Sequence, residues 1–336
     1  IGVTGSKGKG TTCSLIASIL RAGGKTVHLV GNIGVPALDI LSQINAEDIV
    51  VYELSSFQLW DSVASPHIAV VLMIEPDHLD VHANFDEYLH AKSNIVRFQT
   101  DTDITIYNES NVHSGAVAKA SKAHRTAFPS NETAHVIDEH IWYGEQKLCS
   151  VSTLQLPGAH NQDNTCAAID AAWLYVQDPT AITQGLADFD GLPHRLKFVR
   201  NVDDVSYYDD SIATTPGSAI AAIKSFNRPK VLIIGGSDKG ADYTSLIEAI
   251  AGDASVRAVV AIGQLGPRLA DMIRASKFTG EVEYVSSARM SEIIQVAASM
   301  ARLDDVIILS PACASFDMFK NYSDRGDQFI NAVNAL

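Results

Sequence analysis

The chain has few cysteines and no long hydrophobic run. Its four cysteines, Cys13, Cys149, Cys166 and Cys313, lie far apart and form no Cys-x-x-Cys pair. This spacing is typical of reduced thiols rather than of a disulfide framework or a zinc site, so we expect a cytoplasmic protein. No run of about 18 apolar residues occurs, so the sequence predicts no transmembrane helix.

Basic residues are also scarce. The 336 residues include 25 Lys and Arg against 39 Asp and Glu, which gives a formal net charge of −14. General nucleic-acid binders and membrane-surface binders need basic surface, so we expect neither kind of partner. We expect a monomer whose length suffices for two or three domains.

Short apolar runs alternate with helical patterns over the first part of the chain. Strands are predicted at 27–30, 49–54, 68–73 and 104–107, and helices at 11–22, 86–98 and 161–176. This alternation predicts a mostly parallel, doubly wound sheet. Residues 124–155 break the rhythm and suggest a small antiparallel addition.

A domain boundary is predicted near 191–193, after which a second alternation begins. Its predicted strands are 231–234, 258–262, 282–285 and 306–309. We therefore predict an α/β protein in which a P-loop mononucleotide-binding, doubly wound domain (1–191) is followed by a second, Rossmann-like open α/β domain (192–336).

The most informative segment is Thr-Gly-Ser-Lys-Gly-Lys-Gly-Thr at residues 4–11. It follows an apolar stub and precedes a helical pattern, which is the arrangement in which backbone N–H groups and a lysine bind phosphates. ATP is the leading ligand. The usual motif has Ser or Thr directly after the lysine, whereas Gly10 follows Lys9 here, so a flexible turn with two lysines is the alternative.

Acidic residues follow two of the predicted strands. Glu53 ends one strand, and residues 74–80, Ile-Glu-Pro-Asp-His-Leu-Asp, follow the next. Ligands of open α/β sheets lie at the carboxyl ends of strands, and Mg²⁺ prefers oxygen ligands. A magnesium site is favoured over a solvated glutamate and an acidic loop. Lys92, in the following helix, receives no role from the residue pattern.

Further polar groups lie at helix and strand ends. Asn161 and Asn164 share one helix face, where they read a base edge or cap the helix. Loops 209–216, 235–240 and 310–317 each follow a strand of the second domain and should converge on one cleft. There Lys239 can bind a carboxylate, to which Thr214 and Ser315 can donate hydrogen bonds.

Together these segments resemble the Mur ligase family, the ATP-dependent amino-acid ligases of bacterial cell-wall synthesis. The resemblance is carried by residues 5–12, 31–38, 53–59, 77–80, 91–92, 160–161, 193–196, 210–214, 235–240 and 309–315. The string Ser-Pro-Ala-Cys-Ala-Ser at 310–315 indicates the members that add D-glutamate to UDP-N-acetylmuramoyl-L-alanine. The resemblance also implies an N-terminal uridine-binding domain that is missing before Ile1.

The resemblance implies roles for individual residues. The ATP-binding residues would be Gly5, Ser6, Lys7, Gly8, Lys9, Gly10, Thr11, Thr12, Asn161, Asn164, Arg195 and Asp210. Two Mg²⁺ ions would be held by Thr11, Glu53, His78 and a Lys92 carbamylated by CO₂. Catalysis would depend on Lys9, Glu53, His78 and Lys92. The substrates would contact Asn32, Ser56, His78, Thr214, Lys239, Ser315 and Tyr322. The domains would be a central ATP-binding domain and a C-terminal amino-acid-binding domain.

Two departures from the family pattern leave alternatives open. The Gly-Lys-Gly order resembles folylpolyglutamate synthetase, a relative with the same architecture, and would make Thr11 the hydroxyl ligand of Mg²⁺, with Thr12 as the alternative. Ile212 stands where many D-glutamate-adding members have a lysine, so one positive charge is lost. A folylpolyglutamate synthetase-like ligase and a P-loop nucleotide-binding protein without ligase chemistry are the rival functions. The 310–315 string opposes the first, and Glu53, His78 and Lys92 together oppose the second.

Overall fold

The computed structural model describes residues 1–31, 37–78, 81–154, 159–238 and 240–336. The chain divides into two compact units, Ile1–Gly191 and Leu192–Leu336. Among the described residues, no helix has the length and apolar character that crossing a membrane requires.

Unit 1 is built on a parallel sheet with the strand order β2-β3-β1-β4-β5-β6. A separate antiparallel sheet, β7-β8-β9, follows it in the chain. The elements described in this unit are β1 (Gly2–Thr4), α1 (Lys9–Ala22), β2 (Val27–Gly31), a 3₁₀ helix (Ala37–Gln43), β3 (Ile49–Glu53), α2 (Ser56–Leu59), β4 (Ile68–Val71), α3 (Phe85–Arg97), β5 (Ile104–Asn108), α4 (Val112–Lys119), β6 (His124–Phe128), β7 (Ala134–Ile137), β8 (His140–Tyr143), β9 (Gln146–Ser150), a 3₁₀ helix (Val151–Thr153), α5 (Ala159–Trp173) and α6 (Pro179–Ala187).

Unit 2 is built on a second sheet with the strand order β10-β11-β15-β12-β13-β14. Its edge strand β10 pairs antiparallel with β11, and the other pairings are parallel. The described elements are β10 (Lys197–Val202), β11 (Val205–Asp209), α7 (Pro216–Lys224), β12 (Lys230–Gly235), α8 (Thr244–Gly252), β13 (Val256–Ile262), α9 (Gly266–Arg274), β14 (Glu281–Val285), α10 (Met290–Met300), β15 (Val306–Leu309) and α11 (Tyr322–Asn334).

The central strands form because they are short runs of β-branched and other apolar residues that are covered on both faces. Strands β4, β12 and β15 are buried along their whole lengths, as expected of interior strands of a parallel sheet. This agrees with the predicted α/β fold class.

Part of the sequence prediction for residues 124–155 was wrong. Strand β6 does not belong to an antiparallel addition, because it pairs parallel with β5 and extends the main sheet. The antiparallel addition begins only at β7. The first residues of β6 are polar and largely exposed, so the strand has no continuous apolar run that would predict it from sequence. Edge strands commonly lack the apolar run of interior strands.

Candidate active site

The glycine-rich loop connects β1 to α1, as the sequence predicts. Gly8 precedes the helix with a φ of 85°, a left-handed conformation that favours glycine. A Cβ atom on Gly8 would lie 2.3 Å from Oδ1 of Asn164, so a side chain would not fit there. Gly8 provides no side-chain cap to α1, and a helix N-terminus of this kind can bind an anion through its backbone amide groups.

Ser6 fastens this loop to the segment that follows β4. Its hydroxyl donates a hydrogen bond to the carbonyl oxygen of Glu75 at 2.7 Å and accepts one from the Glu75 amide at 3.0 Å. The Tyr88 hydroxyl lies 2.9 Å from the same Oγ atom. The side chains of Lys7 and Glu75 form an ion pair on the exposed side. The acidic segment and the phosphate loop are therefore held together, as the predicted convergence of strand ends requires.

Lys9 extends back over its own loop. Its Nζ donates to the carbonyl oxygens of Gly5 at 2.9 Å and Ser6 at 3.1 Å. The ammonium group is thus held beside the amide groups at the start of α1. The Lys9 ammonium and the N-terminus of α1 together give this loop a positive electrostatic potential, which favours the binding of a polyphosphate.

Lys92 lies beneath the same loop and is 1% exposed. Its Nζ donates to the Gly5 carbonyl oxygen at 2.8 Å, lies 3.4 Å from Thr4 Oγ1, and is 4.7 Å from the centre of the Tyr88 ring. The residue pattern gave Lys92 no role. Its burial could nevertheless have been predicted from the sequence, because Tyr88, Lys92 and Ile95 recur at helical spacing and share the buried face of α3.

The surroundings of Lys92 favour its neutral form. Burial lowers the pKa of Lys92 to about 7, and the nearby Lys9 ammonium acts in the same direction. The carboxylates of Asp77 and Glu53 oppose this change. A neutral amine near neutral pH is a nucleophile, whereas an ammonium is not.

Glu53 ends β3 and is 6% exposed. It lies opposite Val3 of β1 in the parallel register, so its backbone is next to the strand that leads into the phosphate loop. His78 is half-exposed, has a φ of 53°, and lies edge-on to Phe57 at 5.1 Å between ring centres. Glu53 is thus the last residue of β3, and His78 lies in the segment that follows β4.

The structure contains no preformed cluster of metal ligands in its described ranges, counting sets of three or more His, Cys, Asp and Glu. The predicted set of Thr11, Glu53, His78 and Lys92 has only two residues of these types, so it stays a prediction. The donor chemistry nevertheless fits Mg²⁺, which takes carboxylate and hydroxyl oxygens. Thr12 is fully buried, and its hydroxyl has no hydrogen-bond partner among the described residues.

Asn161 and Asn164 lie in the first turns of α5. The Asn164 Nδ2 donates to Asn161 Oδ1 at 3.3 Å, and the Asn164 amide borders Gly8 of the phosphate loop. Because α5 begins at Ala159, Asn161 is inside the helix and is not its N-cap. The structure therefore places Asn164 beside the glycine-rich loop rather than at the N-cap of α5.

In unit 2, Asp210 follows β11 and is 4% exposed. Its carboxylate accepts hydrogen bonds from Ser310 Oγ at 2.7 Å and from the Leu196 amide at 3.2 Å. Burial raises the pKa of Asp210 to about 7, against the opposing effect of these bonds and of Arg195. Asp210 therefore joins the loop that carries Arg195 to the loop after β15.

Arg325 is a buried cation of unit 2 that the sequence analysis did not predict. It is 0% exposed, and its guanidinium donates to Ser211 Oγ at 2.9 Å, to the Ser211 carbonyl oxygen at 2.8 Å and to the Cys313 carbonyl oxygen at 3.2 Å. Ser211 Oγ in turn donates to the Tyr322 carbonyl oxygen at 2.7 Å. The loops that carry Thr214 and Ser315 are thus fastened to α11 inside unit 2.

Other predicted residues have different outcomes. Ser56 Oγ forms a hydrogen bond of 3.0 Å with Nε2 of the buried His82, a partner that the sequence did not indicate. Asn32 and Lys239 lie outside the described residues, as does part of the 31–38 and 77–80 motifs. Their predicted roles remain predictions.

Comparison with known proteins gives the family. Residues 3–172 match the model of the Mur ligase middle domain, and residues 194–313 match that of the Mur ligase glutamate ligase domain. The chain belongs to the Mur ligase family. It is 38% identical to the UDP-N-acetylmuramoylalanine–D-glutamate ligase of Symbiobacterium thermophilum over 346 residues, which cover all of this chain and 75% of the relative. It is 37% identical to the ligase of the same name from Clostridium perfringens, across all of this chain and 74% of that relative.

Two solved structures of other proteins share the fold. FolC from E. coli, in complex with DHPP and ADP, aligns with a TM-score of 0.70 at 19% identity, covering 99% of this chain and 88% of FolC. MurF ligase from Thermotoga maritima, in complex with ADP, aligns with a TM-score of 0.65 at 17% identity, covering 99% of this chain and 79% of MurF. At such identities the similarity concerns the fold alone.

Proposed function

We propose that this Mur ligase uses ATP to join D-glutamate to UDP-N-acetylmuramoyl-L-alanine in peptidoglycan precursor synthesis. The observation that carries the proposal is the identity of 37–38% over the whole chain to ligases of that name. The phosphate loop with Lys9, the buried Lys92 beneath it and the fastened loops of unit 2 supply the sites that such a reaction needs.

The reaction has two steps. A carboxylate oxygen of UDP-N-acetylmuramoyl-L-alanine attacks the γ-phosphorus of ATP, which gives an acyl phosphate and ADP. The neutral amine of D-glutamate then attacks the carbonyl carbon, phosphate leaves and the amine loses a proton. Lys9 and the first amides of α1 neutralise the phosphates, and Arg195 and Asp210 supply further ATP contacts.

The proposal also includes two Mg²⁺ ions, which would be held by Thr11, Glu53, His78 and a carbamylated Lys92. Bound Mg²⁺ supplies charge neutralisation on the phosphates. Carbamylation proceeds when the neutral Lys92 nitrogen bonds to the carbon of CO₂ and releases a proton. The low pKa of Lys92 supports this modification, because the amine is largely neutral above pH 7.

The rival functions make different predictions in one assay. Phosphate release is measured with full-length protein, ATP and Mg²⁺, while D-glutamate and the nucleotide-sugar substrate are each omitted in turn. We expect release only when both are present. Turnover with a folate and glutamate would support the synthetase-like alternative, and release without any acceptor would support a P-loop protein without ligase chemistry.

A further inference from the structure

Asp317 follows the Ser-Pro-Ala-Cys-Ala-Ser string and has no role in the function proposed above. Its carboxylate contacts two other loops of unit 2. Oδ1 accepts a hydrogen bond from Ser237 Oγ at 3.0 Å, and Oδ2 accepts one from the Gln264 amide at 2.7 Å. Ser237 Oγ also accepts a bond from the Asp317 amide at 2.9 Å. One side chain thus links the loops that follow β12, β13 and β15.

Backbone hydrogen bonds continue this link, which we call the Asp317 clamp (Asp317, Ser237 and Gln264). The Ser237 amide donates to the Ala314 carbonyl oxygen at 2.9 Å, and the Leu265 amide donates to the Gly236 carbonyl oxygen at 2.9 Å. The loop after β12 is therefore held from both sides. Hydrogen bonds to the two neighbouring loops thus contribute to its position.

Gly263 shows that the sequence around the clamp accommodates the carboxylate. This residue has a φ of 69°, and a Cβ atom on it would lie 2.4 Å from Asp317 Oδ2. A side chain at position 263 would displace the carboxylate from the Gln264 amide. Glycine is thus required both by the backbone conformation and by the close approach of Asp317.

The clamp joins two chain segments to which carboxylate-binding residues have been assigned. Ser315 precedes Asp317 by two residues, and Lys239 follows Ser237 by two residues in the sequence. Asp317 itself has the same charge sign as the carboxylates of D-glutamate, so it is unsuited to bind them directly. Its chemistry fits a residue that sets the separation between other ligands.

We propose that Asp317 is a positioning residue for the acceptor amino acid, because the clamp holds Ser237 in the loop after β12 at a fixed separation from the loop of Ser315, and both loops are assigned here to the carboxylates of D-glutamate. This inference rests on the proposed function and deepens it. A fixed separation discriminates between dicarboxylic acids of different length. Loss of the clamp should therefore weaken the preference for D-glutamate over D-aspartate, which is one methylene shorter.

The test compares Asp317→Ala, Asp317→Asn, Ser237→Ala and Ser237→Thr in the full-length protein. We expect both alanine variants to raise the KM for D-glutamate about tenfold and to lower the D-glutamate to D-aspartate ratio of kcat/KM by about the same factor. The KM for ATP should change less than about twofold on this reasoning. Ser237→Thr keeps the hydroxyl and should restore most of the preference, whereas Asp317→Asn, which keeps only one acceptor, should be intermediate.

Asp271→Ala is the matched control, because Asp271 is a surface carboxylate on α9 whose side chain is 81% exposed. Suppose that the parent protein is active with D-glutamate, but Asp317→Ala leaves both the KM for D-glutamate and the preference over D-aspartate unchanged. This result would contradict the positioning role of Asp317 without contradicting the proposed function. A fall in kcat with every substrate, together with a lower melting temperature and an unchanged preference for D-glutamate, would show that Asp317 has only a structural role. This result would also overturn the positioning role. A parent protein without D-glutamate-dependent phosphate release would instead refute the proposed function, and the acceptor role with it.

Discussion

At the scale of single residues, Lys92 shows how burial changes the chemistry of an ordinary side chain. An exposed lysine is an ammonium at neutral pH, but Lys92 is buried among the Gly5 carbonyl, the Thr4 hydroxyl and the Tyr88 ring. Desolvation favours the neutral amine, and carbamylation would convert it into an anion that supplies oxygen ligands to Mg²⁺. The same position would repel a metal if the residue stayed an ammonium.

Lys92→Ala should therefore lose activity by a factor on the order of a hundred or more, as expected when a preorganised charge is removed. Short carboxylates in the millimolar range should restore part of it by occupying the vacant position. With ¹³C-labelled CO₂, the parent protein should show a carbamate resonance that is stronger at pH 8 than at pH 6, because the neutral amine increases as pH rises through about 7.

Lys119→Ala is the control, since Lys119 is exposed in the last turn of α4. It should keep parental activity and the carbamate resonance. Near-parental activity of Lys92→Ala in buffer depleted of CO₂ would reject the carbamate.

The sequence predicted that Lys92 lies on a helix. The residue pattern could not predict which parts of the chain this helix packs against. The carbonyl oxygen that it contacts belongs to a residue 87 positions earlier in the chain. Similarly, Arg325 binds Ser211 across 114 positions. Local spacing predicts which face of a helix is buried, whereas contacts over such distances depend on the order of the strands.

At the scale of elements, the interior strands were predicted well, whereas the edge strands had mixed outcomes. The edge strands β2 and β14 coincide with the predicted strands 27–30 and 282–285, but β6 was assigned to the antiparallel addition. The buried run 306–309 coincides with β15, because a continuous apolar run has few other interpretations. Strand β10 was missed, since it is an antiparallel edge strand with a mostly polar sequence and a bulge between Phe198 and Arg200. Helix α11 was also not predicted.

Asp170 joins α5 to the small antiparallel sheet and gives an element-scale prediction. Its Oδ1 accepts a hydrogen bond from the Ala134 amide of β7 at 2.9 Å, and burial raises its pKa from 3.8 to about 7. Between these values the folded state binds more protons than the unfolded state, so this group lowers stability as pH rises. The full difference corresponds to roughly 4 kcal/mol.

Asp170→Asn keeps an acceptor for the Ala134 amide and removes the charge. We expect it to raise the melting temperature, relative to the parent, by about 4 °C or more at pH 8 and by much less at pH 5. Asp101→Asn, at an exposed position in the turn before β5, should show no such difference between the two pH values. Equal effects of Asp170→Asn at both pH values would mean that the carboxylate does not titrate in this range.

At the scale of the whole molecule, each unit has its own sheet and its own core. Among the described residues of unit 2, one buried apolar cluster includes Leu232, Leu246 and Leu269 and another includes Ile233, Ile294 and Phe329. In unit 1 a further cluster includes Val71, Tyr88 and Ile95. The glycine- and proline-containing segment at 191–193 that suggested the boundary separates these cores in sequence.

Because the cores are separate, residues 192–336 should fold when expressed without unit 1, and residues 1–191 should fold likewise. Each fragment should show a cooperative thermal transition by circular dichroism.

The phosphate loop, Glu53 and Lys92 all lie in 1–191, so this fragment should bind Mg²⁺–ATP in calorimetry, and Lys9→Ala should abolish the signal. Neither fragment alone should release phosphate in response to D-glutamate, since Asp210 and Ser315 belong to the other unit. A fragment 192–336 without a cooperative transition would show that its two clusters do not suffice as a core. Nucleotide binding by 192–336 but not by 1–191 would contradict the assignment of the phosphate site.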